Sequence, residues 1–164
     1  IDHAHHSGNA FRALGDTVAF SDAVRAAMEM TSEQDTLIIV TADHSHVFTI
    51  AGYPHRGNDI LGLSKEVPAV DGNPTAPSKA GDGLPYTTLG YQNGPGAVSG
   101  ARADLTSVDT TALGYLQQAV VPMGSETHAG EDVAIYAKGP KAHLVHGSME
   151  QNWIYHVMKE AFGF

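Results

Sequence analysis

Three features of the sequence predict an α/β fold. A long amphipathic stretch covers residues 10–30, a short β-branched apolar run follows at 36–41, and an alternating segment at 132–138 leads into a closing helical stripe. In the first, Phe11, Leu14, Val18, Val24 and Met28 recur mostly at three- and four-residue steps, with Ala filling many gaps. Gly15 weakens that helix, and residues 31–35 (TSEQD) end it. Residues 36–41 (TLIIVT) then read as a strand buried on both faces, as in a parallel sheet. A helix feeding such a strand is the second half of a βαβ unit, so a preceding strand is expected before Ile1. Val133, Ile135 and Ala137 alternate along the later strand, which Gly139-Pro140 terminates. Ser148 with Gln151 suggests a capping box for a last helix striped by Trp153, Ile154, Val157, Met158 and Ala161.

Composition narrows the function classes. The 164 residues are 42% hydrophobic and 16% charged, with a formal charge of -9, which argues against a nucleic-acid surface. No cysteine is present, so disulfides, thiolate metal sites and a Cys nucleophile are excluded. The longest strongly apolar run, residues 37–40, is too short to span a bilayer. The sequence opens with Ile1 inside a dense polar motif and reads as a piece of a longer chain. Residues 52–126 hold twelve of the 18 Gly and seven of the 8 Pro. We read them as an inserted, loop-rich subdomain, with turns at Asp71-Gly72-Asn73-Pro74 and Asn93-Gly94-Pro95-Gly96 and a short strand near Tyr86–Gly90. Residues 1–51 and 127–164 then form the α/β part.

The chemistry concentrates in histidines. Five of the ten lie in two clusters, Asp2-His3-Ala4-His5-His6 and Asp43-His44-Ser45-His46. Each is expected at the carboxyl end of a strand, where sites collect in open α/β sheets. Without thiolates, imidazole nitrogen and carboxylate oxygen form the ligand set of zinc. One helical turn separates Asp2 from His6 and would put both on a common face. Asp43 and His44 are adjacent, as suits a strand end. His128, in the small-residue turn Thr127-His128-Ala129-Gly130, is the best further donor. His55, His143, His146 and His156 read as structural or solvent histidines.

These strings resemble the alkaline phosphatase family. The likeness rests on IDHAHH at 1–6, TADHSH at 41–46, GYPHRG at 52–57 and ETHAGEDV at 126–133, continued by Gly139-Pro140 and AHLVHG at 142–147. It runs through nearly the whole chain in order, weakest between about residues 64 and 125, and matches only the carboxyl-terminal part of the family's catalytic domain. The fold it implies is part of a three-layer αβα sandwich, with residues 52–126 as the family's crown-like insertion. It implies that Asp2, His6 and His128 hold one zinc, that Asp43 and His44 hold a second, and that His3 and His46 orient ligands and bound water. Tyr53 is similar to a residue that reaches toward the partner subunit's site. Two Zn²⁺ and one Mg²⁺ per subunit are expected, with the Mg²⁺ ligands mostly upstream. The serine nucleophile and the phosphate-clamping arginine are also expected upstream, so residues 1–164 alone should be inactive. The implied reaction is hydrolysis of phosphate monoesters, releasing inorganic phosphate through a phosphoserine intermediate. A homodimer outside the cell or in the periplasm is implied with it. The competing readings are a phosphodiesterase or sulfatase of the same superfamily, and a metal-binding remnant without catalysis.

Overall fold

The computed structural model describes residues 1–67, 72 and 76–164. The turn expected at Asp71-Gly72-Asn73-Pro74 lies, apart from Gly72, outside the described residues. In chain order the elements are α1 (Asp2–His6), α2 (Ala10–Met30), β1 (Ile38–Thr41), β2 (Ser45–His46), β3 (Phe48–Ile50), β4 (Leu89–Gly94), β5 (Ala119–Pro122), β6 (His128–Ala129), β7 (Ile135–Lys138), a 3₁₀ turn (Ala142–Leu144) and α3 (Trp153–Phe162). They fall into two compact units, Ile1–Thr17 with His46–His128, and Val18–Ser45 with Ala129–Phe164. Among the described residues, no helix is long and apolar enough to cross a membrane.

The first unit is built on a three-stranded sheet of order β3-β4-β5. Strand β3 runs antiparallel to β4, pairing Phe48 with Tyr91 and Ile50 with Leu89, while β5 runs parallel to β4. Ala4, Ala10, Ala13, Leu89, Tyr91 and Leu105 form its buried apolar core. The start of α2 is capped from two directions. Asn9 Oδ1 accepts the Arg12 N–H at 2.9 Å, and the buried Gln117 Oε1 accepts the Ala10 N–H at 2.7 Å. These acceptors satisfy amides that have no partner within the helix. Gly96 is required where it stands, because a Cβ there would meet the Gln117 carbonyl oxygen at 1.9 Å. Arg102 fastens the Gly-rich stretch by donating to both Asp82 carboxylate oxygens (2.6 and 2.7 Å) and to the Leu84 and Pro85 carbonyls (2.8 and 2.5 Å).

The second unit holds a two-stranded antiparallel ladder in which β1 pairs with β7, Ile38 opposite Lys138 and Thr41 opposite Ile135. The strand expected at 36–41 is thus present but shorter. It is half-buried, not enclosed on both faces, and its one partner is antiparallel. The turn after β7 needs Gly139, with φ +107° and no room for a Cβ beside the Thr36 carbonyl. Helix α3 buries Val157 and holds Trp153 by an Nε1–H bond to the Leu144 carbonyl at 2.9 Å. The expected capping box is not formed. Asn152 occupies the N-cap position without a side-chain bond, and the Ser148 hydroxyl is directed instead to Asp132 at 3.4 Å. At its other end α3 stops on Gly163 in the left-handed conformation, φ 76°. An open cleft of about 820 Å³ in this unit is bordered by Asp43, Asp132, His146, Glu150 and Trp153.

Candidate metal centre

The first unit gathers residues from three distant stretches of sequence around Asp2. Helix α1 is a single turn and a little more, so Asp2 and His6 share a face, with His6 Nε2 3.4 Å from Asp2 Oδ1. The other ring nitrogen of His6 donates to the Glu126 carbonyl at 2.6 Å, which fixes the tautomer and leaves Nε2 without a proton. His128 brings its Nε2 to 3.1 Å from His6 Nε2 and 3.6 Å from Asp2 Oδ1.

The segment carrying His128 is held one residue at a time. Glu126 N–H donates to the His6 carbonyl at 2.9 Å, and the Thr127 carbonyl accepts the Val47 N–H at 3.3 Å. Asn93 on β4 grips Thr127 twice, accepting its N–H at 3.0 Å and donating to its hydroxyl at 2.8 Å.

A third imidazole approaches Asp2 from β2. His46, with a side chain only 9% exposed, lies with Nε2 3.0 Å from Asp2 Oδ1 and Nδ1 2.7 Å from Glu126 Oε2. Glu126 is fully buried, and its other oxygen accepts the Val47 N–H at 2.8 Å. Behind this layer His5 stacks on His46 at 4.7 Å and bonds the Tyr91 hydroxyl through Nδ1 at 2.8 Å.

Electrostatics follow from this crowding. Desolvation pushes the Asp2 carboxyl upward, but the imidazoles of His6, His46, His3 and His128 outweigh it and hold it below the usual carboxylate value. Burial first, and His46 second, push the His5 imidazole down to about 4. Burial and then the Glu126 charge raise the Tyr91 phenol.

The donor set fits a divalent cation. Two imidazole nitrogens and a carboxylate oxygen at 2.0–2.2 Å from a tetrahedral zinc stand about 3.3–3.6 Å apart, and the three atoms here are separated by 3.1, 3.4 and 3.6 Å. Asp2 and His128 are each about half exposed, so the cluster is open to solvent on that side. His6, His46 and Glu126 form a second convergent group on the buried side.

The remaining sequence-predicted residues are placed as follows. Asp43 and His44 lie in the second unit, where His44 Nε2 is 3.6 Å from Asp43 Oδ2 and its Nδ1 faces the Ser45 carbonyl at 3.2 Å. His3 is 95% exposed and 3.7 Å from Asp2 Oδ2. Tyr53 is 89% exposed. His55 bonds the Lys65 carbonyl at 2.9 Å, and His156 packs on Trp153 and Tyr155. Reading the sequence gave Glu126, Asn93, His5 and Tyr91 no role in this centre. Only the closeness of Glu126 to His128 in the chain hinted at one.

Comparison with known proteins gives the family. A family model for alkaline phosphatase matches residues 1–164. The chain is 48% identical over 163 residues to the tissue-nonspecific isozyme of alkaline phosphatase from Rattus norvegicus and 49% identical to that from Felis catus, covering 98% of this chain and 29% of each relative. It is 48% identical to an alkaline phosphatase of Gadus morhua, with 32% of that protein covered. The chain therefore spans about a third or less of the length of these relatives. A match that runs from the DHAHH helix to the last residue leaves one assignment: this chain belongs to the alkaline phosphatase family.

Proposed function

We propose that these residues are part of a phosphatase that hydrolyses phosphate monoesters with the help of bound zinc. The observation that carries the proposal is the mutual approach of Asp2 Oδ1, His6 Nε2 and His128 Nε2 to within 3.1–3.6 Å. In this reading those three side chains hold one zinc, and Asp43 and His44 contribute to a second whose other ligand lies outside residues 1–164. A magnesium ion, a serine nucleophile and a phosphate-clamping arginine are assigned to the rest of the protein.

When bound, a zinc pair neutralises charge on the phosphoryl oxygens and lowers the pKa of coordinated hydroxyl and water. The part of this chain is positioning. His6 presents a proton-free Nε2 because its Nδ1–H is spent on the Glu126 carbonyl, and Asp2 stays ionised among its imidazoles. The Asn93 clamp holds the backbone beside His128, so its ring meets the other two donors without first being ordered. The serine oxygen would attack phosphorus and expel the alcohol, and water would then cleave the phosphoserine. His3 and His46 would orient the Asp2 carboxylate and nearby water. Tyr53, exposed as it stands, would reach toward a partner subunit in a homodimer, with residues 52–126 as the crown-like insertion and the remainder as part of a three-layer αβα sandwich. A cell-surface, secreted or periplasmic location goes with this reading.

The test uses the full-length gene product. It should turn over a nitrophenyl phosphate monoester far faster than the matching diester or sulfate ester, and bind two zincs per subunit. His128→Ala should remove one zinc and lower kcat/KM by at least about 10²-fold. Residues 1–164 alone, as a control, should show no turnover. Preference for the diester or sulfate would favour the sister hydrolases, and a full-length protein without turnover would be a metal-binding remnant. Two zincs retained in His128→Ala would refute the ligand assignment.

A further inference from the structure

We infer that Glu126 is a positioning residue of the metal centre, acting on Asp2 through His46; this rests on the ligand reading proposed above. A fully buried carboxylate is costly unless its lone pairs are satisfied, and an apolar side chain would fill the same volume without that cost. Here both oxygens are committed. Oε1 accepts the Val47 N–H at 2.8 Å and Oε2 accepts the His46 Nδ1–H at 2.7 Å. Val47 follows His46 directly, so one carboxylate grips both the backbone and the ring of the same short stretch.

The ring has no freedom left to turn. Its opposite nitrogen stands 3.0 Å from Asp2 Oδ1, the same oxygen that faces His6 Nε2 and His128 Nε2. With Nδ1 held by Glu126, the Nε2 edge of His46 is fixed beside the Asp2 oxygen that the proposed cation would share. The backbone carbonyl of the same residue accepts the His6 Nδ1–H at 2.6 Å, a bond that a side-chain substitution at 126 leaves available. Glu126→Gln keeps the shape but replaces one acceptor oxygen by an NH₂ group. That group must then face either the Val47 N–H or the His46 Nδ1–H, donor against donor, and the ring loses its anchor.

The experiment is a zinc titration of the full-length gene product against a competing chelator. It compares wild type, Glu126→Gln, His46→Gln and the double variant. Glu126→Gln should weaken zinc binding at this centre by about 10–100-fold, the range typical for partners of ligating side chains, with the zinc count at saturation unchanged. Because Glu126 acts through His46, the double variant should bind no more weakly than His46→Gln alone. A Glu126→Gln protein with wild-type affinity, or a double variant showing the product of both effects, overturns the inference. So does loss of one zinc per subunit at saturation, which would make Glu126 a ligand. Should Glu126→Gln not fold, His46→Gln reads the same contact from its other end, and wild-type affinity there overturns it. A wild-type protein that takes up no zinc refutes the ligand reading itself, a result distinct from all of these.

Discussion

Arg102 shows how one side chain can order a segment whose glycines and prolines resist regular structure. Its planar guanidinium takes the Asp82 carboxylate in a two-pronged grip while donating to two carbonyls in the same turn. The hydrogen bond from Arg102, reinforced by the Leu84 N–H, lowers the Asp82 carboxyl below its ordinary 3.8. A folded value below the unfolded one gives stability that is fully present above about pH 4 and is lost as the pH falls through the folded value. Asp82→Asn should therefore melt below wild type at pH 5–7, with the gap closing toward pH 2. A gap independent of pH would show that the charge is not responsible. At this scale the sequence was informative only where spacing is local. The four-residue step from Asp2 to His6 declares a shared helix face. Its closeness to His128 apart, nothing local distinguishes Glu126 from a surface acid, because its partners His46 and Val47 lie some 80 residues earlier in the chain.

Among the elements, α2 offers the cleanest test of intrinsic propensity. Gly15 sits in its interior, exposed, with no atom within 4 Å of where a Cβ would stand. Gly15→Ala should raise stability by about 0.5–1 kcal/mol, read as an increase in the urea midpoint at constant slope. A decrease would mean that the helix is bent or packed at that point. Helices α2 and α3 and strands β1 and β7 were legible as elements because each carries its own periodicity or β-branched run. Their burial was not. Residues 36–41 read as enclosed because they are continuously apolar, whereas the strand is half-buried in a two-stranded ladder, since burial depends on neighbours. Strand β5 escaped notice for a related reason. Its four residues pair in parallel with β4, from which they are separated by a long loop, and no local alternation marks them. The capping box failed because Ser148 has Asp132 as a competing partner.

For the whole molecule, the chain describes about 29–32% of the length of its relatives and leaves large apolar side chains exposed, among them Val18 on α2 at 62%, Val120 on β5 and Phe162 on α3. Scattered exposed apolar residues are ordinary, and these lie on separate elements. The α/β class and the order of α2, β1, β7 and α3 could be read from the sequence; the layering of an intact catalytic domain belongs to the proposal. The account depends most on three donors holding one cation. The direct measurement is anomalous diffraction at the zinc edge from crystals of the zinc-loaded full-length gene product. We predict a peak about 2.0–2.2 Å from each of Asp2 Oδ1, His6 Nε2 and His128 Nε2. Zinc density elsewhere, with these three side chains turned away from any ion, would contradict it.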